Sequence, residues 1–338
     1  MVSIYDIAQA AQCSIATVSC AINGKGRVSA STRKRILAAC RTLGYAPNAA
    51  GRHLRLQRTE TVGLLLYPTC ASEFRNSFAA EVIEGLEDRL IAANYHLLLG
   101  GYRPQIASGT IPQFIGQGRV DGVVLLGKYP STIIAELQLL PLPLLILDSE
   151  VTGLAIDSIT TDGFAAGRAV VDRLVAHGHR RICMLAYDHD FHNPRMRRLG
   201  FLDGMQAHGL WPVQQSLITA FQHDAEGYRL LAHRLSGSEA PTAVFCENDH
   251  LALDLLSRLR ADGVSVPGSL SLVGFNDDDG CAQAQPPLTT CHIDKKAIGR
   301  LGAEMILERI VAPELAVRHR LLPAVWIERQ SVATRTTA

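Results

Sequence analysis

Seven short, continuous apolar runs separated by helical stretches most restrict what this sequence can fold into. The runs lie at 62–67, 95–99, 122–126, 144–147, 181–185, 243–245 and 270–275, and helical periodicity lies at 76–93, 163–177, 194–208, 225–235 and 249–261. Such runs, without polar alternation, are typical of strands buried on both faces of a parallel sheet. Because the alternation occurs in two series, the sequence predicts two parallel α/β lobes. Ligands of such sheets bind beyond the carboxyl ends of the strands, which predicts a binding cleft between the lobes.

Positive charge is concentrated at the start of the chain. Residues 1–58 contain nine Lys and Arg and a single acid, Asp6, for a net charge of +8, whereas the other 280 residues carry a net −7. This split indicates either a polyanionic partner for the first segment alone or a solvated basic face. No apolar run approaches the ~18–20 residues of a membrane-spanning helix, and the N-terminus shows no secretory signal pattern. We therefore expect a cytoplasmic protein without a membrane partner.

The basic segment has the caps of three short helices. Ser3 and Asp6 form a capping-box signature, Ser14 and Ser29 are N-caps for a second and a third helix, and Gly44 is a C-terminal stop. Two short helices joined by a tight turn and followed by a third are typical of a helix-turn-helix, whose second helix enters the DNA major groove. A three-helix bundle that binds no nucleic acid is the alternative.

Ordered sequence blocks in both parts of the chain carry a specific family resemblance. The head blocks are Ser3-Ile-Tyr-Asp-Ile-Ala, Ala16-Thr-Val-Ser19, Ile22-Asn-Gly24, Arg27-Val-Ser29, Thr32-Arg33 and Leu43-Gly-Tyr-Ala-Pro-Asn48; body blocks include Val120-Asp-Gly-Val-Val124, Gly178-His-Arg-Arg-Ile182 and Leu272-Val-Gly-Phe275. They resemble the lactose-repressor/galactose-repressor family of bacterial transcription regulators over residues 2–330. The resemblance implies an α/β protein with an N-terminal helix-turn-helix head, a hinge helix and a two-lobed, periplasmic-binding-protein-like body with parallel sheets.

The resemblance also implies domain boundaries. The helix-turn-helix head would span 1–46, the hinge 47–59, and the effector-binding and dimerisation body 60–338. Within the body, the N-lobe would comprise about 60–157 and 290–318, and the C-lobe about 158–289 and 319–332. The segment 47–59 could instead be a plain flexible linker, because a helix of that length is marginal in water.

The candidate DNA contacts lie on the second helix, beside it and in the hinge. They are Ser3, Ile15, Ala16, Thr17, Ser19, Cys20, Asn23 and Arg27 in the head, and Asn48, Arg52, Leu54 and Arg55 in the hinge. The family resemblance implies that Leu54 is a minor-groove wedge in a hinge helix that forms when two copies pair on DNA. Gln12 and Cys20 depart from the family pattern, which mostly has Gly and Arg at these positions. The operator sequence of better-known relatives is therefore not expected to apply.

The resemblance assigns candidate effector contacts to the cleft. They are Phe78, Asp148, Asp162, Arg195, Arg197, Phe221, Asn248 and Asn276, with Thr161 beside Asp162. Side chains that pair donors with acceptors suit the hydroxyls of a sugar, since each hydroxyl both gives and accepts a hydrogen bond. Asn276 stands where the family usually has Asp, so a shifted ligand chemistry is expected. Ordinary packing is an alternative role for both aromatic residues, and surface exposure is one for Arg195.

Other motifs give little support to catalysis or to metal binding. The eight cysteines contain no CxxC pair. We expect the run Asp188-His-Asp-Phe-His192 to lie at the rim of the cleft, with metal binding as the alternative. No phosphate-binding loop or nucleophile elbow occurs, so neither a cofactor nor an enzyme is predicted. The resemblance therefore implies a homodimeric, ligand-controlled repressor of a catabolic operon that binds a pseudo-palindromic DNA operator. A cytoplasmic ligand-binding module without DNA binding and an α/β enzyme are the rival hypotheses.

Overall fold

The computed structural model divides the chain into two compact units, residues 1–59 and 60–338. The structure describes residues 2–22, 26–45, 58–66, 77–101, 111–151, 153–187, 191–210, 217–219, 235, 237 and 239–335. Among these residues, none of the helices has both the length and the apolar character needed to cross a bilayer.

The first unit is built from three helices around a small apolar core. These are α1 (Ile4–Ala10), α2 (Ile15–Ile22) and α3 (Ala30–Leu43). Side chains from all three helices meet in one cluster, in which Ile7, Val18 and Ile36 are fully buried. The helix-turn-helix arrangement expected from the spacing of the apolar residues is confirmed.

The predicted caps of these helices are also confirmed. The Ser3 hydroxyl accepts a hydrogen bond from the backbone N–H of Asp6, and the Asp6 carboxylate accepts one from the backbone N–H of Ser3, which completes a capping box. The Ser29 hydroxyl likewise accepts from the backbone N–H of Thr32, and Gly44 ends α3 in the left-handed conformation, at φ 62°. Caps of this kind satisfy donors and acceptors that a helix end otherwise leaves unpaired.

The second unit begins with alternating strands and helices, as the apolar runs predict. In chain order these are β1 (Thr61–Leu66), α4 (Ser77–Ala92), β2 (His96–Gly101), α5 (Gln113–Gly116), β3 (Gly122–Leu126), α6 (Ser131–Gln138), β4 (Leu144–Leu147) and β5 (Asp157–Thr161). The strands β1, β3 and β4 are buried almost throughout. Continuous burial is what a parallel sheet covered on both faces requires.

A second series follows and forms the second lobe. It comprises α7 (Gly163–Ala176), β6 (Ile182–Ala186), α8 (His192–Ala207), β7 (Leu217–Thr219), β8 (Ala243–Cys246), α9 (Asp249–Ala261), β9 (Ser271–Val273) and α10 (Gly280–Gln283). The four strands pair in the order β7-β6-β8-β9, and every pairing is parallel. The helix predicted at 225–235 falls almost entirely outside the described residues.

The chain then returns to the first lobe. The last elements are β10 (Thr290–His292), α11 (Lys295–Val311), β11 (His319–Leu322) and β12 (Val325–Ile327). The first lobe has a six-stranded sheet of order β11-β5-β4-β3-β1-β2, with all neighbours parallel. A separate antiparallel pair, β10 with β12, joins the segments that run between the lobes. The two-lobed α/β architecture expected from the sequence is confirmed.

The lobe boundaries need a correction of about four residues. The sequence assigns 158–161 and 319–322 to the C-lobe, whereas β5 and β11 pair within the sheet of the first lobe. β5 has no apolar run in the sequence to mark it as a strand: Asp157, Ser158, Thr160 and Thr161 are polar, and all four are buried. Burial is tolerated where partners exist. The Asp157 carboxylate receives two hydrogen bonds from the Arg309 guanidinium, at 2.7 and 3.1 Å.

Two helices of the first lobe approach each other so closely that only glycine fits between them. A Cβ atom on Gly85 of α4 would overlap the carbonyl oxygen of Lys296 in α11, and one on Gly299 of α11 would overlap the carbonyl oxygen of Val82 in α4. Both obstacles are backbone atoms of a packed helix, so neither can move aside as a flexible side chain would.

This contact predicts that Gly299→Ala destabilises the body. Overpacking in a well-filled core typically costs about 1–3 kcal/mol, and here the two helices must separate to admit the methyl group. The free energy of unfolding, measured by urea titration followed by circular dichroism, is expected to fall by that amount. Gly116→Ala is the matched control, because no atom lies within 4 Å of its added Cβ. Equal stability of the two variants would contradict the interpretation.

Candidate functional site

Helix α2 is anchored by one face and exposes the start of the other. Its N-cap is Ser14, whose hydroxyl accepts a hydrogen bond from the backbone N–H of Thr17 at 3.1 Å. Val18 and Ala21 are buried in the head core. Ile15 is 37% exposed, Ala16 is also exposed, and Thr17, Ser19 and Cys20 are partly buried. The predicted recognition surface therefore lies on the side of α2 that does not pack, which is the geometry that a groove-reading helix needs.

The other predicted DNA contacts of the head differ in their surroundings. Arg27 is exposed beyond the end of α2. The Ser3 hydroxyl is engaged in the α1 cap and donates to the Asp6 carboxylate at 2.8 Å. The remaining candidates, Asn23, Asn48, Arg52, Leu54 and Arg55, lie outside the described residues.

The turn between α1 and α2 shows why the family mostly has glycine at the position of Gln12. Gln12 has φ 47°, in the left-handed region that favours glycine. The turn is closed by hydrogen bonds from the backbone N–H groups of Gln12 to Gln9 and of Cys13 to Ala8. A non-glycine residue there carries strain that the surrounding contacts must offset.

In the body, a cavity of about 140 Å³ opens between the two lobes. Phe78, Asp148 and Thr161 line it from the first lobe, Ile293 from the connecting segment, and Gly163, Asn193, Arg197, Asn248, Phe275 and Asn276 from the second lobe. The polar lining consists of one carboxylate, one guanidinium, a hydroxyl and three amides. It lies at the carboxyl ends of the strands, as the fold predicts.

Arg197 is the cation of this lining and is only 8% exposed. Its guanidinium donates to the backbone carbonyls of Glu247, at 2.5 Å, and Asn193, at 3.4 Å, and lies 4.3 Å from the ring centroid of Phe275. Burial lowers the pKa of the Arg197 guanidinium, and the charges of Glu247 and Asp148 oppose that shift. The two hydrogen bonds and the contact with the Phe275 ring fix the guanidinium in position, which suits it to orient a polar ligand.

Asn193 joins the two lobes across the cavity. From α8 its amide nitrogen donates to the Asp148 carboxylate at 2.5 Å and to the Asp148 carbonyl at 3.0 Å. Its amide oxygen accepts from the Thr160 hydroxyl of β5 at 2.5 Å. Asn193 was not predicted from the sequence; its position four residues before Arg197, one helical turn away on the same face of α8, is the signal that could have found it.

Asn248 and Asn276 complete the amide-rich lining. Asn248 is the N-cap of α9, and its side-chain oxygen accepts from the backbone N–H of Leu251 at 2.9 Å. The cap leaves its amide nitrogen as the group available to a ligand. Asn276 follows β9 with φ 117°, and Asp277 continues at φ 60°. Two successive left-handed residues turn the chain sharply at the edge of the cavity.

Asp249, next to Asn248, stabilises the turn at Asn276–Asp278 by hydrogen bonds. Its carboxylate accepts from the Thr290 hydroxyl at 2.6 Å and from the backbone N–H of Asp278 at 2.8 Å. The side chain is fully buried. Burial raises the pKa of the Asp249 carboxyl, while the hydrogen bonds from Thr290 and Asp278 act in the opposite direction.

Five of the eight candidate effector residues line the cavity: Phe78, Asp148, Arg197, Asn248 and Asn276. Asp162 does not, because its carboxylate caps α7 by accepting from the backbone N–H of Ala165 at 2.9 Å. Arg195 lies two residues before Arg197 on α8, on a different side of the helix, and is also absent from the lining. Phe221 lies outside the described residues. Gly163, Phe275 and Ile293 line the cavity without having been predicted.

The candidate metal ligands are only partly described. Asp188, His189 and Asp190 lie outside the described residues, and His192 sits 3.9 Å from the Glu150 carboxylate. Within the part of the chain that the structure describes, no three His, Cys, Asp or Glu side chains are grouped as metal ligands would be. The seven cysteines described are free, and burial raises the pKa of the Cys291 thiol to about 12, so that it carries little thiolate at neutral pH.

Comparison with known proteins decides the family. Residues 3–48 match the bacterial regulatory proteins of the lacI family, and residues 171–332 match the periplasmic binding protein-like domain. The HTH-type transcriptional repressor PurR of Escherichia coli O1:K1 / APEC is 32% identical over 342 residues, covering 98% of this chain and 97% of that protein. The chain belongs to the lacI family.

Solved structures of transcriptional regulators share the fold over nearly the whole chain. The transcriptional regulator CelR–cellobiose complex is 26% identical, with a TM-score of 0.73 over 98% of this chain and 100% of that chain. The lac repressor dimer bound to operator and the anti-inducer ONPF is 24% identical, with a TM-score of 0.79 over 98% and 99%. The full-length match to PurR and the two family domains make this chain a DNA-binding transcriptional repressor with an effector-binding domain, and its relatives are regulators and not enzymes.

Because the turn at Gln12 is strained, we predict that Gln12→Gly stabilises the head. Glycine adopts positive φ without a Cβ clash, which offsets its larger entropy loss on folding. An expected gain of about 1 kcal/mol corresponds to roughly fivefold slower amide hydrogen exchange in α1 and α2 of the full chain. Gln9→Gly, at an exposed position within α1, is the matched control and should speed exchange instead. Faster exchange in Gln12→Gly would show that the turn is not strained.

Proposed function

We propose that this protein represses a catabolic operon and that a neutral, sugar-like molecule bound between the lobes controls the repression. The observation that carries the proposal is the cavity itself, which Asp148, Asn193, Arg197, Asn248 and Asn276 line from both lobes. The similar transcriptional regulator CelR is seen in a complex with cellobiose, which supports a sugar as the ligand of this chain. Binding residues from both lobes let one ligand favour a particular arrangement of the lobes.

The charges of the lining favour a neutral ligand. Among the described lining residues, the Asp148 carboxylate and the Arg197 guanidinium balance each other. The Arg197 guanidinium is already committed to two backbone carbonyls and to the Phe275 ring. A phosphate or carboxylate would bring a net negative charge, because Asp148 already balances the Arg197 charge and the described lining contains no second cation. The amides, the hydroxyl and the remaining N–H groups of Arg197 match the mixed donors and acceptors of a sugar.

On DNA, we propose a homodimer in the cytoplasm that binds a pseudo-palindromic operator. Two heads would place the exposed starts of their α2 helices in major grooves about one helical turn apart. The hinge residues Asn48, Arg52, Leu54 and Arg55 would meet at the centre, with Leu54 as a wedge in the minor groove. The lac repressor, similar in fold, is seen as a dimer on its operator, which supports this arrangement. The remaining head candidates, from Ser3 to Arg27, would contact bases and phosphates on either side.

Selection of genomic fragments tests the DNA-binding part of the proposal. The purified full chain, without added ligand, is expected to enrich a short palindrome, and its affinity for that fragment should fall steeply with salt, because nine basic residues in the first 58 neutralise phosphates. A flat salt profile or no enrichment, with or without cell extract to supply a co-repressor, would favour the ligand-binding module that does not read DNA.

A ligand screen tests the effector class. Thermal unfolding is measured with D-glucose, D-galactose, D-ribose and cellobiose, together with a sugar phosphate and a free nucleobase as contrasting chemistries. A neutral sugar should raise the melting temperature, since a ligand that binds only the folded state stabilises it by mass action. Stabilisation by the sugar phosphate or by the nucleobase alone would overturn the neutral-sugar assignment and leave the DNA-binding proposal intact.

Arg197→Ala is predicted to remove the effector response while DNA binding persists. The guanidinium orients the ligand from a buried position, so its loss should weaken binding of the stabilising sugar at least about tenfold. Titration calorimetry measures that affinity, and a mobility shift on the selected palindrome measures DNA binding. Arg198→Ala, the next residue on α8 and outside the cavity lining, is the control. An unchanged sugar affinity in Arg197→Ala would refute the assignment.

A further inference from the structure

The turn at Asn276 is held by contacts that do not themselves touch the cavity. Asn276 and Asp277 both have positive φ, and such conformations persist only where the surroundings fix them. From the second lobe and the connecting segments, Arg329 donates to the Asp277 carboxylate at 2.7 Å and the His292 ring lies 3.1 Å from its other oxygen. Asp249 holds the backbone N–H of Asp278.

One further contact to this turn comes from the first lobe. Lys295 is the first residue of α11, and its side chain is only 2% exposed. Its ammonium donates to the backbone carbonyl of Asp277 at 3.2 Å and lies 3.3 Å from the Asp278 carboxylate. It also donates to the Glu81 carboxylate of α4 at 3.2 Å. The ammonium thus connects the turn of the second lobe to two packed helices of the first.

The buried Lys295 ammonium is stabilised by two neighbouring carboxylates, those of Asp278 and Glu81. Desolvation by itself lowers the pKa of a buried lysine. The Asp278 and Glu81 carboxylates outweigh that effect and raise the pKa of the Lys295 ammonium. Lys295 therefore stays charged, and removing it would leave two carboxylates facing each other without a cation. Apolar packing alone would not require a buried lysine with two carboxylate partners, whereas a directional contact between the two lobes requires such a charged group.

We propose that Lys295 is a positioning residue through which the first lobe fixes the turn at Asn276 and thereby sets the amide that Asn276 presents to the effector. The proposal rests on the effector site proposed above, because it gives a reason for holding Asn276 in place. It also makes ligand affinity depend on the relation of the lobes, since the turn is fully held only while Lys295 reaches it.

The neighbouring lysine supplies a matched control. Lys296 also lies on α11 and pairs with a carboxylate of α4, that of Glu84, at 2.5 Å. This pair is exposed and stays within the first lobe. Lys296→Met therefore removes the same type of charge from the same helix without touching the turn, and Lys295→Met removes the tie between the lobes.

Amide hydrogen exchange of the full chain without any added ligand tests the tie directly. In Lys295→Met, peptides covering 274–280 are expected to exchange at least about tenfold faster, while peptides from β8 are unchanged; in Lys296→Met both should be unchanged. Unchanged exchange of 274–280 in Lys295→Met would overturn the proposal. Equal acceleration of the turn and of β8 would also overturn it, because it would show a loss of global stability only.

A second variant decides the matter if Lys295→Met does not fold. Asp278→Asn keeps the backbone N–H that Asp249 holds but removes the charge facing Lys295, and it should accelerate exchange of 274–280 about threefold. Lys295→Arg, which keeps the charge, should restore part of the protection in the turn. No acceleration in Asp278→Asn would overturn the proposal.

A ligand arm separates positioning from a purely structural role. With whichever of D-glucose, D-galactose, D-ribose or cellobiose stabilises the wild type, calorimetry is expected to show about tenfold weaker binding to Lys295→Met, with affinity for the selected palindrome unchanged within about twofold. Unchanged sugar affinity would contradict the link from Lys295 to Asn276. If none of the four sugars binds the wild type, the sugar proposal fails, and the exchange experiment still decides whether Lys295 holds the turn.

Discussion

The cleft depends on one buried carboxylate, that of Asp249, which ties together three separate segments of chain. It stands at the start of α9, receives the Thr290 hydroxyl of β10 at 2.6 Å and the backbone N–H of Asp278 at 2.8 Å, and leaves no room for a side chain at position 274. Burial raises the pKa of this carboxyl, so the fold bears a cost to keep it there. Without the carboxylate the buried Thr290 hydroxyl would lose its partner, at about 1–3 kcal/mol, and the partly buried N–H of Asp278 would lose its partner as well. The positions of Asn248 and Asn276 on either side follow from it.

Hydrogen bonds and ion pairs join the two lobes on either side of the cavity. Asn193 bridges Asp148 and Thr160 on one side, and Lys295 reaches Asp277 and Asp278 on the other. Directional contacts of this kind are either made or lost when two packed bodies move, so they favour discrete arrangements over a continuum. A ligand shifts the balance between such arrangements only by the difference in its affinity for them. Lining residues contributed by both lobes are what make that difference possible.

The sequence predicts most of this fold and about half of the cleft, for physical reasons that differ. Strands such as β1 and β3 are predicted because a doubly covered sheet demands continuous apolar residues. Strand β5 is not, because its buried polar side chains find partners, such as Arg309 for Asp157, that lie far along the chain. Asp162 satisfies the start of its own helix, a local hydrogen bond that competes with any ligand. The contact of Asn193 with Asp148, 45 residues earlier, has no signal in the spacing of the sequence; only the four-residue spacing of Asn193 from Arg197 could have pointed to it.

The division of charge limits how a ligand can control DNA binding. The first 58 residues carry a net +8 and the rest a net −7, so DNA attracts the head and repels the body. Solvent ions screen interactions between exposed charges beyond about 8–10 Å, and a neutral ligand adds no charge. Its effect on operator affinity therefore cannot be electrostatic. In the proposed homodimer, a neutral effector would act through conformation: the relation of the lobes would decide whether two heads can bind DNA together. On this proposal, contacts that join the lobes, such as those of Asn193 and Lys295, would matter to regulation as much as direct contacts to the ligand.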